Sequence, residues 1–322
     1  MVQPYPARDR GGVMLADVVA CLRCPVCREG LAAVADPGRG GAPTGLRCPR
    51  GHSFDRARQG YVDLTAGAVP HAGDSADMVA ARAAFLGAGH YGFVSAELAA
   101  ALTPDGTTGT GDGDGLPSAG GPPEGRSATR GAGLIVDAGA GTGAHLAGVL
   151  DARPGAVGLA LDVSRYALRR AARAHPRAAA VRCDVWTALP VADHCASVLL
   201  NVFAPRNGAE FARVLRPDGT LLVVTPGPDH LRELVDTLDL LRVDPSKEDR
   251  LSASLDPWFT PVSSTVAQHR LSLRRDEVET LVGMGPSAWH VGAADRAARI
   301  AALPEPVRVR AEVRIGRYAP RS

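Results

Sequence analysis

The chain has 322 residues, 45% of them hydrophobic and 22% charged, with a formal net charge of +2. This length and apolar content support one large domain of about 190 residues beside a smaller module and exclude a disordered polyelectrolyte. No apolar run reaches the roughly 18 to 20 residues of a membrane span, and the start lacks the basic-then-apolar order of a secretory leader, so a cytoplasmic protein with no membrane partner is expected. Lys247 is the only lysine among 36 basic residues. Arginine suits phosphate and guanine contacts, but GC-rich codon usage yields the same bias and is the simpler source. Of the six cysteines, three have metal-ligand spacing and none suggests a disulfide framework, which points to a reducing compartment.

Residues 1–20 form a tail whose apolar stretch Val13–Ala20 reads as a strand or a helical turn without assigned function. Residues 21–66 read as short strands and turns around Cys24, Cys27, Cys48 and His52, a C-x2-C and C-x3-H set. Three thiolates and one imidazole close a tetrahedral zinc shell, so the metal is expected to be structural and to leave the site at about −1. Cys21 repeats the same spacing with Cys24, but Pro25 and Pro49 mark Cys24–Cys27 and Cys48 as the knuckles. The tail from Phe54 to Leu64 is expected to pack back on this ribbon. Seven arginines against four carboxylates give residues 21–66 a modest positive excess, compatible with phosphate contact.

Residues 67–102 read as a helical connection, with Asp74 and Ser75 as caps, a break at Gly89–Gly92 and a second helix to Leu102. Residues 103–133, rich in Gly, Pro, Ser, Thr and Asp, are expected to be a disordered insertion, because they hold too little apolar surface to offset ordering entropy.

From 134 to 322 the rhythm turns α/β. Strands are predicted at 134–138, 156–162, 178–183, 197–202 and 220–225, with helices at 144–150, 165–174 and 208–214. The end differs: 269–273 and 307–315 alternate like antiparallel strands around a helix at 276–282. A parallel sheet closed by a final antiparallel pair is the class I S-adenosylmethionine-dependent methyltransferase (Rossmann-like) arrangement, here behind an N-terminal zinc-binding module.

The chemistry gathers at the strand ends. Leu134–Ala138 runs into Gly139, Gly141 and Gly143, a G-x-G-x-G turn of the form common in S-adenosylmethionine enzymes, with Asp137 at the pocket rim. Asp162 ends the next strand, where it can meet both ribose hydroxyls, and Asp184 ends a third, where it can meet the adenine amino group. Either aspartate also serves as a helix cap on the bland reading. The segment Asn201–Arg206 ends the fourth strand beside the expected transfer site. There Phe203 can stack on an extruded base or simply pack, and Asn201 can hydrogen-bond the base edge.

Several phrases together resemble the 23S ribosomal RNA guanine-N1 methyltransferases, and most closely their tylosin-resistance-type branch. They are Cys-Pro-Val-Cys27, Gln59–Leu64, Met78–Leu86, Gly89–Tyr91, Asn201–Asn207, Thr225–Leu231 and Met284–Trp289. The resemblance implies methylation of guanine N1 in a large-subunit RNA hairpin near the peptide-exit tunnel, recognised with the help of the zinc module. The Asn-Val-Phe-Ala-Pro form of the 201–205 loop favours the macrolide-resistance target. By the same resemblance Tyr91, Gly143, Ala144 and His230 contact the cofactor, and family members pair as homodimers. Asn201, Phe203 and Pro205 are the candidate catalytic positions, and no residue stands out as a general base. A DNA partner is not expected. The alternatives are a methyltransferase of a small natural product and a non-enzymatic RNA-binding module with a decayed pocket.

Overall fold

The structure, a computed structural model, describes residues 12–35, 43–67, 69–70, 73–103, 133–238, 240, 253–285 and 293–321. The insertion expected over 103–133 and the end of the Met284–Trp289 phrase therefore lie almost wholly outside the described residues.

The Val13–Ala20 stretch is helical, as α1 (Gly12–Val18), followed by a 3-10 turn to Cys21. The ribbon is a three-stranded antiparallel sheet of β1 (Ala32–Ala35), β2 (Pro43–Arg47) and β3 (Ser53–Asp55). Its tail folds back through the Arg56–Val62 bridge. The same tail also leaves the ribbon, because β4 (Val62–Asp63) joins the edge of the large sheet. Then come α2 (Ala76–Gly87) and α3 (Gly92–Ala100). Ser75 caps α2 by accepting the Met78 N–H, whereas Asp74 pairs with Arg82 instead.

The large sheet comprises β5 (Leu134–Ala138), β6 (Val157–Asp162), β7 (Ala178–Arg182), β8 (Ala196–Val202), β9 (Leu215–Pro226), β10 (Phe259–Leu273) and β11 (Val307–Pro320), with β4. Its order is β10-β11-β9-β8-β5-β6-β7-β4. Strands β4 to β9 run parallel, while β11 and β10 are antiparallel to their neighbours. Helices α4 (Ala144–Asp151), α5 (Arg165–Ala171), α6 (Gly208–Val214), α7 (Arg232–Leu238), α8 (Arg275–Gly283) and α9 (Ala293–Ala301) complete the described fold.

Alternation along the strands divides the interior in two. Ile135, Ala160, Ala178 and Ala180 face α3, α4 and α5, whereas Leu134, Val136, Leu159 and Val181 face the opposite core. That second core also holds Leu15, Val18, Leu22, Leu31 and Leu46, so the ribbon's apolar interior is continuous with the underside of the sheet. Leu22 bridges Val191, and a disulfide joins Cys21 to Cys195 across 174 residues. This corrects the expectation of no disulfide, and it gives Cys21 a partner outside the metal set, where the sequence reading places it.

Candidate active site and metal centre

The glycine turn hangs on the neighbouring strand: the N–H groups of Gly139 and Ala140 both donate to the Leu161 carbonyl at 2.9 Å. Gly139 has φ +82°, and a β-carbon there would lie 2.4 Å from the Ala204 β-carbon. Gly143, with φ +77°, begins α4 where a β-carbon would press to 3.0 Å on the Ala171 α-carbon. These two positions need glycine for conformation and for space alike. Ala144 opens the helix behind them.

Asp137, Asp162 and Asp184 stand at or just past the ends of the adjacent strands β5, β6 and β7, along one edge of the sheet. The Asp162 oxygens accept the Gly141 and Ser164 N–H groups, each at 2.8 Å, and keep further lone pairs for a ligand. Burial raises the pKa of Asp162 against the pull of those two donors. Asp137 is pushed up to about 8 by burial, with the charge of Asp162 adding to it. Asp184 accepts the Trp186 N–H at 3.0 Å through one oxygen.

Three buried acceptors at this edge lack a donor among the described residues: Asp137 Oδ1, Asp184 Oδ2 and Asn201 Oδ1. A buried acceptor without a partner costs on the order of 1 to 3 kcal/mol, so an arrangement with three of them in one place fits a ligand that carries donors. The ammonium, ribose hydroxyls and adenine amino group of S-adenosylmethionine are such donors for the two aspartates.

At the mouth, Asn201 is fully buried and its amide donates to the Ala138 and Pro205 carbonyls at 3.1 and 2.8 Å, stapling the 201–205 loop to β5. Pro205 itself is exposed and contributes that carbonyl. Phe203, 42% exposed, sits at φ +52° with its ring 6.4 Å from Tyr91 and 6.2 Å from His230. A bulky residue in the left-handed region is strained, so its exposed ring is held out by the loop against a conformational cost.

His230 Nδ1 lies 2.7 Å from the Glu312 carbonyl, closer than the 3.2 Å to the Glu312 N–H, which places the ring proton on Nδ1. Nε2 then accepts from the Tyr91 hydroxyl at 3.1 Å. Glu312, missed in the sequence, is buried and also accepts the Asp229 N–H at 3.2 Å. Arg82 of α2 brings its guanidinium over the glycine turn, 3.4 Å from where a Gly141 β-carbon would stand. It pairs with Asp74 and donates to the Met284 carbonyl at 3.0 Å.

The ligand atoms of Cys24, Cys27, Cys48 and His52 all lie within 4.8 Å of one another. Cys27 and Cys48 sulfurs are 3.7 Å apart, and His52 Nδ1 is 3.3 and 3.6 Å from Cys48 and Cys24. A tetrahedral zinc ion requires about 3.8 Å between sulfurs and about 3.5 Å from sulfur to nitrogen, so the donor set and its spacing fit a structural Zn²⁺.

A family model described as RlmA, N-terminal, a zinc ribbon, matches residues 22–66, and one described as a methyltransferase domain matches 136–223. A Micromonospora griseorubida protein named for 23S rRNA (guanine-N1) methylation is 59% identical over 95% of this chain and its own whole length. The 23S rRNA (guanine(748)-N(1))-methyltransferase of Streptomyces fradiae is 48% identical, covering 90% of this chain and 94% of the relative. A Bacillus subtilis protein of similar name is 28% identical over 83% and 86%. The chain thus belongs to the 23S rRNA guanine-N1 methyltransferase family, with the class I S-adenosylmethionine-dependent fold and an N-terminal zinc ribbon.

Proposed function

We propose that the protein transfers a methyl group from S-adenosylmethionine to N1 of a guanine in a 23S rRNA hairpin, conferring resistance of the tylosin type. Residues 21–66 present the RNA, residues 67–102 connect, and residues 134–322 carry out the transfer. The observation that carries this reading is the set of buried, unpartnered acceptors of Asp137, Asp184 and Asn201 at the strand ends, with the exposed Phe203 ring two residues beyond Asn201.

Bound cofactor supplies an electrophilic methyl on a sulfonium. Asp137, Asp162 and Asp184 hold its polar groups, the Gly139–Gly143 turn and Ala144 let its chain approach the backbone, and Arg82 offers a cation for its carboxylate. Tyr91 and His230 wall the transfer site, and their aromatic faces favour a nearby cation. Phe203 stacks on the extruded guanine, and Asn201 Oδ1 accepts a hydrogen from its Watson–Crick edge.

Guanine N1 is a weak acid, so orientation for in-line attack and loss of its proton are what the protein must assist. His230 is a positioning residue here, since its Nδ1 proton is committed to Glu312 and its Nε2 to Tyr91. Asp137, protonated near neutrality in the unliganded protein, is no base either. Proton loss is left to solvent at the exposed mouth.

The test is incorporation of labelled methyl from S-adenosylmethionine into deproteinised 23S rRNA, followed by primer extension, which stops at an N1-methylated guanine. A single new stop is expected. Label appearing only in a small-molecule extract of the producing cells refutes the RNA assignment.

A further inference from the structure

From Ser164 to Arg182 the chain holds six arginines and no carboxylate. Two have structural partners: Arg177 donates to the Arg153 carbonyl at 2.8 Å, and Arg182 pairs with Asp63 at 2.8 Å. The other four, Arg165, Arg169, Arg170 and Arg173, are exposed and have no carboxylate partner among the described residues.

At helical spacing these four fall on a single arc of α5 and its C-terminal extension, with Tyr166 among them, while Ala167, Leu168 and Ala171 face the core. The Arg165 and Arg169 guanidinium groups lie 5.3 and 5.5 Å from the centre of the Tyr166 ring, which holds both in place. Arg165 occupies the first turn of the helix, where the backbone dipole disfavours a cation and acidic residues are absent. Some outward-facing arginines elsewhere have carboxylate partners, Arg232 in Asp229, Arg274 in Asp276 and Arg275 in Glu305.

The stripe also has the right neighbours. At its start, the Ser164 N–H donates to Asp162 at 2.8 Å, which ties α5 to the cofactor edge, and the Ser164 hydroxyl donates to the Asp74 carbonyl at 2.8 Å. At its end, Ala172 packs against the ribbon tail, where a β-carbon at Gly60 would stand 3.3 Å from it. Exposed Arg58 continues the positive surface on that tail.

Resting on the function proposed above, we infer that Arg165, Arg169, Arg170 and Arg173 form a phosphate-binding stripe along which the RNA backbone runs between the zinc ribbon and the transfer site. Four unneutralised guanidinium groups on one face match a polyanion, and arginine's fork suits phosphate oxygens. Backbone contact of this kind sets register and affinity without reading sequence.

The experiment uses the full-length protein with all four arginines changed to glutamine, and a second variant with all four changed to lysine. Binding to deproteinised 23S rRNA is followed against salt. Each lost phosphate contact makes the log–log slope shallower by about 0.7 to 0.9, so the glutamine variant is expected to lose about 3 from the slope, and the lysine variant to retain it. KM for RNA rises at least tenfold at moderate salt, while calorimetric affinity for S-adenosylmethionine stays within twofold. A slope and KM unchanged in the glutamine variant overturn the inference, as does loss of binding to phosphatidylserine vesicles with RNA binding intact. The slope does not depend on methyl transfer, so wild-type protein that binds RNA but leaves it unmethylated counts against the proposed function and not against the stripe.

Discussion

Replacing Asp137 by asparagine separates what a buried carboxyl costs the unliganded protein from what it gains with a cofactor. Asp137 is 1% exposed, one oxygen lacks a partner, and burial with Asp162 nearby lifts its pKa from 3.8 to about 8. At about 1.4 kcal/mol per unit, that displacement sets a ceiling of about 6 kcal/mol on the cost of ionising it in the folded, unliganded protein. Between these two pKa values the folded protein holds a proton that the unfolded chain has lost. Stability from this group is therefore full below about pH 4 and declines as pH climbs through about 8. Asp137→Asn removes the dependence, so in urea titrations the unliganded variant should exceed the wild type at about pH 8.5 and approach it near pH 5.

S-adenosylmethionine carries a cationic sulfonium and ammonium, so its binding selects the ionised carboxyl and must expel the proton. Wild-type affinity should tighten about tenfold per pH unit from about pH 5.5 to 7.5, with close to one proton released per cofactor bound, as read by calorimetry in buffers of different ionisation enthalpy. The window stops there because the cofactor's own α-amino group titrates at about 8. Asp137→Asn should bind at least tenfold more weakly at pH 7.5 with no slope over the window. Equal, pH-independent affinities for the two proteins, with no proton released, would refute the reasoning.

Phe203→Ala and Phe203→Gly should each lower kcat/KM on rRNA by about 5- to 100-fold, the worth of one base–aromatic stack. Because φ is +52°, the glycine variant should be the more stable of the two by about 0.5 to 1 kcal/mol in denaturant titration, the reverse of the usual order. Cys48→Ala should lose one zinc per chain by metal analysis, lower the melting midpoint and abolish rRNA methylation, while cofactor affinity stays within about threefold, since none of the four ribbon ligands belongs to the glycine turn or the aspartate edge. Thiol titration of denatured, chelator-treated protein should count four groups without reductant and six with it, reflecting the Cys21–Cys195 disulfide. Cys21→Ser should lower stability by up to about 5 kcal/mol on the chain-entropy account, and reductant should do the same to the wild type only.

Much of the cofactor edge was readable because its residues are chemically out of place in their elements. Asp137 and Asp162 end otherwise apolar strands, and glycines follow the first of them, so alternation and composition mark both strand and rim. The metal set was readable for the same reason: thiols at knuckle spacing have few other uses. Strand β10 was seen only at 269–273, because Thr260 to Val266 are exposed at the sheet edge and carry no apolar alternation. Strand β4 is two residues long and exists only through its pairing with β7.

What stayed hidden is the layer that orients the ligand-facing groups, and the reason is distance along the chain. The backbone carbonyl of Glu312 orients the His230 ring across 82 residues, and a side chain on Gly227 would strike the Glu312 carboxylate at 2.3 Å, so one position on β11 constrains both ends of the Gly227–His230 loop. Yet on its strand Glu312 is one polar position among arginines. Arg82 reaches the glycine turn from α2 and is steadied by the Met284 carbonyl 202 residues away. Cys21 repeats the knuckle spacing with Cys24 but pairs elsewhere, because its partner follows a turn 174 residues on. Residues that touch a ligand declare themselves by type, whereas residues that hold them are ordinary until the fold supplies an opposite number. The α5 stripe sits between these cases: its arginines could be counted in the sequence, but only the structure places them on one face with no carboxylate among the described residues beside them, between the ribbon tail and the Asp162 edge.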